Sequence, residues 1–253
     1  MKRQKLRIIL KLFYSLLGVL ITTTNSHATW SIIAVDRTTG EVGIAGASCT
    51  YNVQGIGRSI PGKGVVVVQA KSNSNARKLG IKLMGEGVNP EQIIEAIRDK
   101  QFDPENQQYG VVVLYNDIAP ATYSGKRISN WKGVMVGDDV AVLGNTLVDE
   151  KVVSAAFEAF NAARDKDLSE RLMLALEAGE KAGGDKRCGI QHATSAFVTV
   201  YNSNDDKNSP YLNLSIYGIE KGGQSAVTLL TEEYEHWSKL NRNNQSTEVY
   251  IIP

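Results

Sequence analysis

The chain of 253 residues is 42% hydrophobic and 22% charged, an ordinary globular composition that supplies one sizeable core rather than two. The formal net charge is +1, and residues 1–28 hold five basic side chains and no acid, so the remaining chain carries −4. This weak negative charge argues against nucleic acid or an anionic membrane surface as a partner.

The first 28 residues have the layout of a secretory signal peptide. Basic residues dominate up to Lys11, an apolar run follows at residues 12–21, and Ser26, His27 and Ala28 form a small-x-small cleavage site. The apolar run is short for a membrane-spanning helix, which needs roughly 20 residues. We therefore predict cleavage after Ala28, export to the periplasm or the medium, and no stable membrane insertion afterwards. An uncleaved amino-terminal anchor is the alternative.

The next part of the chain predicts strands followed by two helices. Residues 29–36 and 41–49 are rich in β-formers and flank the turn-forming sequence RTTG, which predicts a β-hairpin. Residues 64–70, GVVVVQA, are apolar at nearly every position and predict a strand buried on both faces. Helical patterns follow at residues 75–87 and 89–100.

The second half repeats this order. Residues 108–145 predict four strands, residues 149–164 and 167–184 a second helix pair, residues 193–218 another hairpin, and residues 225–240 a last helix. Helices that come in pairs between runs of adjacent strands favour antiparallel sheets with helices outside. We predict an α+β fold: a four-layer αββα sandwich of two antiparallel sheets between helix pairs.

These patterns predict three segments along the chain. Residues 1–28 are the signal peptide, and residues 29–241 form the folded domain. Residues 242–253 are predicted as a polar linker and a short terminal strand.

Several familiar kinds of site are disfavoured by the sequence. Residues 57–64, GRSIPGKG, match a phosphate-binding loop except that Gly64 replaces the required Ser or Thr, and the loop precedes a strand instead of a helix. A glycine-rich connection with a tight turn is the better interpretation. After signal cleavage only His192 and His236 remain, and the cysteines and histidines lack metal-ligand spacing. We therefore expect neither a metal nor a cofactor.

Cleavage after Ala28 would make Thr29 the first residue of the mature chain. An amino-terminal threonine has a free α-amine, with a usual pKa of about 7.7–8.0, that can act as general base for its own hydroxyl. The nucleophile and its base are then one residue, which suits a chain with so few histidines. The alternative is that a small residue following a cleavage site merely starts a strand.

Parts of the sequence resemble the domain-of-unknown-function 1028 family, which is assigned to the N-terminal nucleophile (Ntn) hydrolase-like superfamily. The resemblance lies in residues 29–48, 64–70, 143–147 and 174–198, and it covers most of residues 29–218. It implies the αββα fold. By analogy with the superfamily, Thr29 would attack an amide carbonyl, and its amine would carry the proton to the leaving nitrogen.

The resemblance also implies supporting residues. A cation or amide should orient the amine, and an oxyanion hole should hold the developing charge. For these catalytic roles the candidates are Ser48, Gln69 and Asn145, with Lys71 as a weaker alternative to Gln69. A second group is expected either to bind substrate or to hold a loop in place: Asp185, Arg187, Gln191 and His192.

The two cysteines, Cys49 and Cys188, would meet an oxidising compartment after export, which favours a disulfide, with two separate buried thiols as the alternative. Both cysteines also depart from the usual pattern of the family. A disulfide that joins the second strand to the loop before residue 193 explains both departures together.

The leading hypothesis is an exported N-terminal-threonine amidohydrolase that cleaves a small amide or peptide-like bond. The rival is a non-catalytic exported binding protein or cell-envelope or surface-assembly component, and a homo-oligomer is a further expectation. Substrate specificity in such a fold belongs to loops, here residues 50–64 and 202–210.

Overall fold

The computed structural model describes residues 29–128 and 131–247. The predicted signal peptide, residues 1–28, and the predicted terminal strand, residues 248–253, lie outside the described residues. Within the described part of the chain, no helix has the length and apolar character needed to cross a membrane.

The described residues form ten strands and five α-helices. The strands are β1 (Thr29–Asp36), β2 (Glu41–Ser48), β3 (Gly57–Ile60), β4 (Gly64–Ala70), β5 (Gln107–Val113), β6 (Ala121–Ser124), β7 (Trp131–Val136), β8 (Val140–Leu147), β9 (Ser195–Tyr201) and β10 (Leu212–Ile216). The helices are α1 (Ser74–Gly85), α2 (Pro90–Ile97), α3 (Lys151–Ala162), α4 (Leu168–Lys181) and α5 (Ala226–Thr247).

The strands make two antiparallel sheets. The larger sheet has the order β10-β9-β2-β1-β8-β7, and the smaller has the order β3-β4-β5-β6. The predicted opening hairpin is confirmed, with Thr29 opposite Ser48. At its turn the Asp36 carboxylate accepts hydrogen bonds from the backbone N–H groups of Thr38 and Thr39. Strand β1 is an inner strand, so the first described residue starts in the middle of a sheet.

Strand β3 was not predicted. The sequence analysis treated residues 57–64 as a glycine-rich connection, but residues 57–60 pair with β4, and only residues 61–63 form the turn. The glycines reflect close packing: a Cβ on Gly57 would lie 2.3 Å from Ile44 Cδ1, and one on Gly64 would lie 2.2 Å from the carbonyl oxygen of Val112. Glycine therefore lets β3 lie against the other sheet at Gly57 and lets β4 approach the β5 backbone at Gly64, which its turn propensity concealed.

Three apolar clusters connect the layers. The first joins the larger sheet to α3, α4 and α5, through residues such as Trp30 and Leu176. The second lies between the two sheets, and the third joins the smaller sheet to α1 and α2. The fold is thus mixed α+β, with two antiparallel sheets and helices against their outer faces, which is compatible with the predicted sandwich.

Strand β4 confirms the prediction of a strand buried on both faces. Val65 and Val67 belong to the cluster between the sheets, whereas Val66 and Val68 pack against α1 and α2. Because successive side chains of a strand point to opposite faces, both sets must be apolar.

The carboxyl end of the chain differs from the prediction. The linker predicted at residues 242–247 is helical, because α5 continues to Thr247. Residues 226–247 contain neither glycine nor proline, so the sequence holds no strong stop signal. Helix α5 also packs on the larger sheet, which therefore carries three helices instead of the predicted pair.

Candidate functional site

A row of polar residues crosses the larger sheet at one end. These residues lie directly opposite one another on neighbouring strands: Ser195, Ser48, Thr29, Asn145 and Lys132. Directly opposite residues of an antiparallel sheet share a face. Counting by twos from Thr29 along β1 leads to Ile33 and Val35, which lie in the cluster between the sheets. The row therefore lies at one end of the space between the two sheets.

Thr29 contacts the side chain of its neighbour on β2. Its Oγ1 donates to Ser48 Oγ over 3.5 Å, and Thr50 Oγ1 donates to the same atom over 3.2 Å. Arg187 Nη2 donates to Ser48 Oγ over 3.4 Å. The Ser48 hydroxyl thus lies between the threonine and a guanidinium group.

Arg187 is held in place by a buried carboxylate. Asp185 is 0% exposed, and it accepts hydrogen bonds from the Nε of Arg187 over 3.1 Å, from its Nη2 over 2.7 Å and from its backbone N–H over 2.9 Å. The backbone N–H of Cys49 donates to the same carboxylate over 2.6 Å. A buried ion needs such compensation, and here it fixes the guanidinium beside Ser48.

The predicted disulfide is present. Cys49 and Cys188 are bonded, with their Cα atoms 5.7 Å apart. Cys49 follows Ser48 in the chain, and Cys188 follows Arg187. The covalent bond therefore ties the end of β2 to the segment that carries the Asp185 and Arg187 pair.

A chain of amides crosses between the sheets behind Thr29. Ser31 Oγ donates to Gln69 Oε1 over 2.7 Å, and Gln69 Nε2 donates to Gln108 Oε1 over 2.8 Å. Gln108 Nε2 donates to the backbone carbonyls of Gly133 and Gly144, both over 3.1 Å. Since a carbonyl can only accept, these two contacts determine which end of the Gln108 amide carries the NH₂ group.

This direction determines the orientation of Asn145 as well. Gln108 Oε1 can only accept, so Asn145 must present its Nδ2, which lies 3.3 Å away and also lies 3.5 Å from the Thr29 carbonyl. The Oδ1 of Asn145 is then turned away from Gln108. It is buried and has no hydrogen-bond partner among the described residues. Buried polar atoms are nearly always partnered, so an unfilled acceptor lies next to Thr29 in the sheet.

The structure separates the predicted catalytic residues into two groups. Ser48 and Asn145 are the cross-strand neighbours of Thr29. Gln69 lies deeper and reaches Thr29 only through Gln108 and Asn145. The weaker candidate, Lys71, does not belong to this row: β4 ends at Ala70, whose positive φ of 66° interrupts the strand alternation, and the Lys71 ammonium contacts Asp103 over 3.2 Å.

The expected second group is also divided. Asp185 and Arg187 reach the row, as described above. Gln191 instead holds a loop: its Nε2 donates to the carbonyl of Glu220 over 2.8 Å, and its Oε1 accepts from the N–H of Gly222 over 3.0 Å. The backbone carbonyl of His192 accepts from the N–H of Asp185 over 3.0 Å. Gln191 and the His192 backbone thus support the segment around Asp185.

Gln108, Ser31 and Lys132 were not predicted as site residues from the sequence. A usable signal existed for Gln108, because it is a polar residue in a run of β-formers, QQYGVVV, that predicts a buried strand. Its register opposite Gln69 could not be derived without the sheet topology. Lys132 Nζ donates to the carbonyl of Gly125 over 2.5 Å, so it closes the far end of the row against a loop.

The fold and site define a mixed α+β protein with two antiparallel sheets and a buried polar site at one end of the space between them. The family model described as "Family of unknown function (DUF1028)" matches residues 29–223, and the chain belongs to this family. The match starts at Thr29.

Among solved structures, the chain is similar to the protein SPO2555 from Silicibacter pomeroyi, which is described as a protein of the same family. The two are 24% identical, the similarity covers 83% of this chain and 88% of that one, and the TM-score is 0.69. This likeness concerns the fold alone. No curated protein matches the chain.

Proposed function

We propose that the protein is an exported amidohydrolase whose nucleophile is an amino-terminal Thr29, on a four-layer fold of the Ntn-hydrolase type. The observation that carries the proposal is the unfilled acceptor of Asn145 beside the residue at which the family match begins. A free α-amine on Thr29 would supply the donor that this buried oxygen lacks. The disulfide is compatible with export, because disulfides persist in oxidising compartments.

The reaction has two halves. Thr29 Oγ1 attacks the carbonyl carbon of the amide, and the α-amine takes the hydroxyl proton. The amine then passes this proton to the leaving nitrogen as the C–N bond breaks, which leaves an ester between Thr29 and the acyl group. A water molecule, deprotonated by the same amine, attacks the ester, and the proton returns to Thr29 Oγ1. Neither half needs a metal or a redox cofactor.

The surrounding groups have separate duties in this proposal. Asn145 Oδ1 accepts from the α-amine and so directs the amine lone pair towards the hydroxyl. The Ser48 hydroxyl, with Arg187 behind it at 3.4 Å, stabilises negative charge that develops on the carbonyl oxygen. One such donor contributes about 2.7–4 kcal/mol to the transition state. Gln69 and Gln108 act as positioning residues, since they orient Asn145 without contacting Thr29.

The first test is the amino terminus of the exported protein, read by intact mass and sequencing. The proposal expects Thr29 with a free amine. The purified protein is then treated with a panel of p-nitroanilides and with an acyl-transferring β-lactone, and the labelled residue is located by mass spectrometry. Thr29→Ser should retain labelling, whereas Thr29→Ala should lose it by about 10³-fold or more.

A matched control separates the amine from the hydroxyl. A chain with one alanine in front of Thr29 keeps the hydroxyl but converts the amine into an amide, and it should be as inactive as Thr29→Ala. If the exported chain begins elsewhere, or if labelling is equal in all variants, the hydrolase is excluded. The result would then favour the rival, a non-catalytic exported binding protein.

A further inference from the structure

A second cavity lies away from the Thr29 row, on the side of the molecule where both sheets end in edge strands. It has a volume of about 790 Å³ and lies between the edge strand β3, the loop that precedes it and the loop between β9 and β10. These are the two loops, residues 50–64 and 202–210, that the sequence analysis selected for specificity. The volume falls within the ordinary range of ligand sites, about 300–1,000 Å³.

The charge of this cavity is one-sided. Its only charged lining residues among those described are Arg58 and Lys207, both basic. Neither forms an ion pair with another described residue. The acids of the nearby loop do not line the cavity: Asp205 accepts from the backbone N–H groups of residues 202 and 211, and Asp206 accepts from that of residue 208. Two cations thus face the cavity without a carboxylate among its lining residues.

The remaining polar lining consists of amides and hydroxyls. Gln54 Nε2 and Thr199 Oγ1 both donate to Asn213 Oδ1, over 2.9 Å and 3.0 Å. These contacts use the oxygen of Asn213 and leave its NH₂ group for another acceptor. Asn52 and Asn208 add two further amides at the rim.

One lining residue has an unmet requirement for a hydrogen bond. Ser59 Oγ is buried and has no partner among the described residues. Ser59 lies two positions after Gly57, which faces Ile44 in the space between the sheets, so strand alternation directs both residues to that space. Ser59 is a lining residue of the cavity, but its Oγ is shielded from solvent, so we do not count this hydroxyl among the groups that would contact a ligand.

We propose that this cavity binds a small acidic sugar, with Arg58 and Lys207 contacting its anionic group. A sugar of this kind combines a negative charge with several hydroxyls, which matches two cations surrounded by amides and hydroxyls. The apolar floor, which includes Phe197, suits the C–H face of a sugar ring. The proposal does not depend on hydrolysis at Thr29, because none of the atoms it uses belongs to the polar row.

The test is isothermal titration of the exported protein with four probes: glucuronate, glucose 6-phosphate, glucose and inorganic phosphate. The two acidic sugars should saturate one site, and the tighter of them identifies carboxylate or phosphate as the preferred anion. Glucose and inorganic phosphate should each bind at least about ten-fold more weakly, since each lacks half of the recognised chemistry.

Variants connect the binding to the cavity. Arg58→Gln and Lys207→Gln should each weaken the acidic sugars by about ten-fold, and added salt should do the same in part. Lys151→Gln, which removes an exposed cation on α3, should leave the affinity unchanged. Thr29→Ala should bind normally, so a failure of the proposed hydrolase leaves this result intact.

Three outcomes would overturn the proposal. In the first, glucose or inorganic phosphate binds as tightly as the acidic sugars. In the second, neither acidic sugar saturates the protein at about 10 mM; in the third, Arg58→Gln and Lys207→Gln leave the affinity for both acidic sugars unchanged. Thermal unfolding of both variants should match the parent chain, because Lys207 lies in a surface loop and Arg58 is exposed at the edge of β3.

Discussion

The polar groups at the two ends of β1 have different kinds of partner: charged groups at the carboxyl end, and mainly neutral groups at the amino end. At the carboxyl end, Arg37 Nε lies 2.6 Å from Asp139 Oδ1 and 3.3 Å from Asp117 Oδ1, and its Nη1 donates to the carbonyl of Leu114 over 2.7 Å. At the amino end, Thr29 is surrounded mainly by neutral amides and hydroxyls, and Asn145 Oδ1 has no partner.

The comparison shows that cavity size alone does not identify the site. A cavity of about 720 Å³ opens at the Arg37 end. Arg37 in this cavity, however, is matched by two carboxylates and by backbone carbonyls. The Thr29 end instead retains an unfilled acceptor, Asn145 Oδ1, and this is why we place the candidate site there. Four changes test this contrast.

The largest expected effect comes from the disulfide at the Thr29 end. Replacing Cys49 and Cys188 by serine opens a loop across a sequence separation of 139 residues and should lower the free energy of unfolding by about 4–5 kcal/mol. Denaturant unfolding with and without a dithiol measures the free energy of unfolding that the disulfide contributes. The dithiol should destabilise the parent chain and leave the double variant unchanged; equal stability of the two proteins would contradict the expectation.

Asn145→Ala should reduce labelling of Thr29 by about 10²–10³-fold, because the α-amine loses the acceptor that orients its lone pair towards the hydroxyl. The free energy of unfolding should fall by no more than about 2 kcal/mol, since Gln108 keeps its other hydrogen bonds. Labelling rates and unfolding curves are measured on the same sample. If the labelling rate falls only in proportion to the fraction of unfolded protein, Asn145 has no direct role at Thr29.

Arg37→Met should give the reverse pattern. The change leaves Asp139 without its partner and should cost about 1–3 kcal/mol of stability, while labelling of Thr29 stays at the parental rate. Arg164→Met provides the control, because Arg164 lines the same cavity but is exposed, and it should cost under about 0.5 kcal/mol. If a folded Arg37→Met protein shows reduced labelling of Thr29, then the Arg37 end also contributes to the reaction, and the proposed difference between the two ends of β1 is wrong.

The smallest effect concerns Glu180, which lies on α4 next to Gly179, the residue that packs on Trp30 behind the Thr29 end. Burial raises the pKa of the Glu180 carboxyl. A raised pKa in the folded state means that the stability present at low pH is lost as the pH rises through that pKa. Glu180→Gln should therefore stabilise the protein relative to the parent chain more at pH 8 than at pH 4.

Melting temperatures at the two pH values test this shift. Ser74→Ala, an exposed change at the start of α1 that removes no titratable group, serves as the control and should give the same melting-temperature difference from the parent chain at both pH values. A constant gap between the Glu180→Gln and parent melting temperatures would show that ionisation of Glu180 does not oppose folding.

Periodicity predicted most of the fold, because the signals were local. The apolar pattern of residues 64–70 predicted β4, and the RTTG turn predicted the β1 and β2 hairpin. Strand β3 was missed because its glycines satisfy both a turn and a tightly packed strand. The length of α5 was missed because no stop residue distinguishes residues 241–247 from a linker.

Residues of the candidate site could be predicted only where the local sequence around them contained a recognisable motif. Thr29 followed from the cleavage motif, and Ser48 and Asn145 from their positions in stretches that resemble the family. Gln108 and the free oxygen of Asn145 depend on the direction of a hydrogen-bond chain through two backbone carbonyls. Such a direction is a property of the assembled sheets, and no local pattern encodes it.

The contacts around Thr29 have a consequence for the order of folding. Asn145 is 116 residues from Thr29, Ser195 is 147 residues from Ser48, and the disulfide spans 139 residues. Contacts between such distant parts of a chain form slowly, whereas the β1 and β2 hairpin is local. The amino-terminal hairpin can therefore exist early with an incomplete site. The complete site arises only when the last long-range strand has docked, so a nascent or partly folded chain carries the threonine without the groups that surround it.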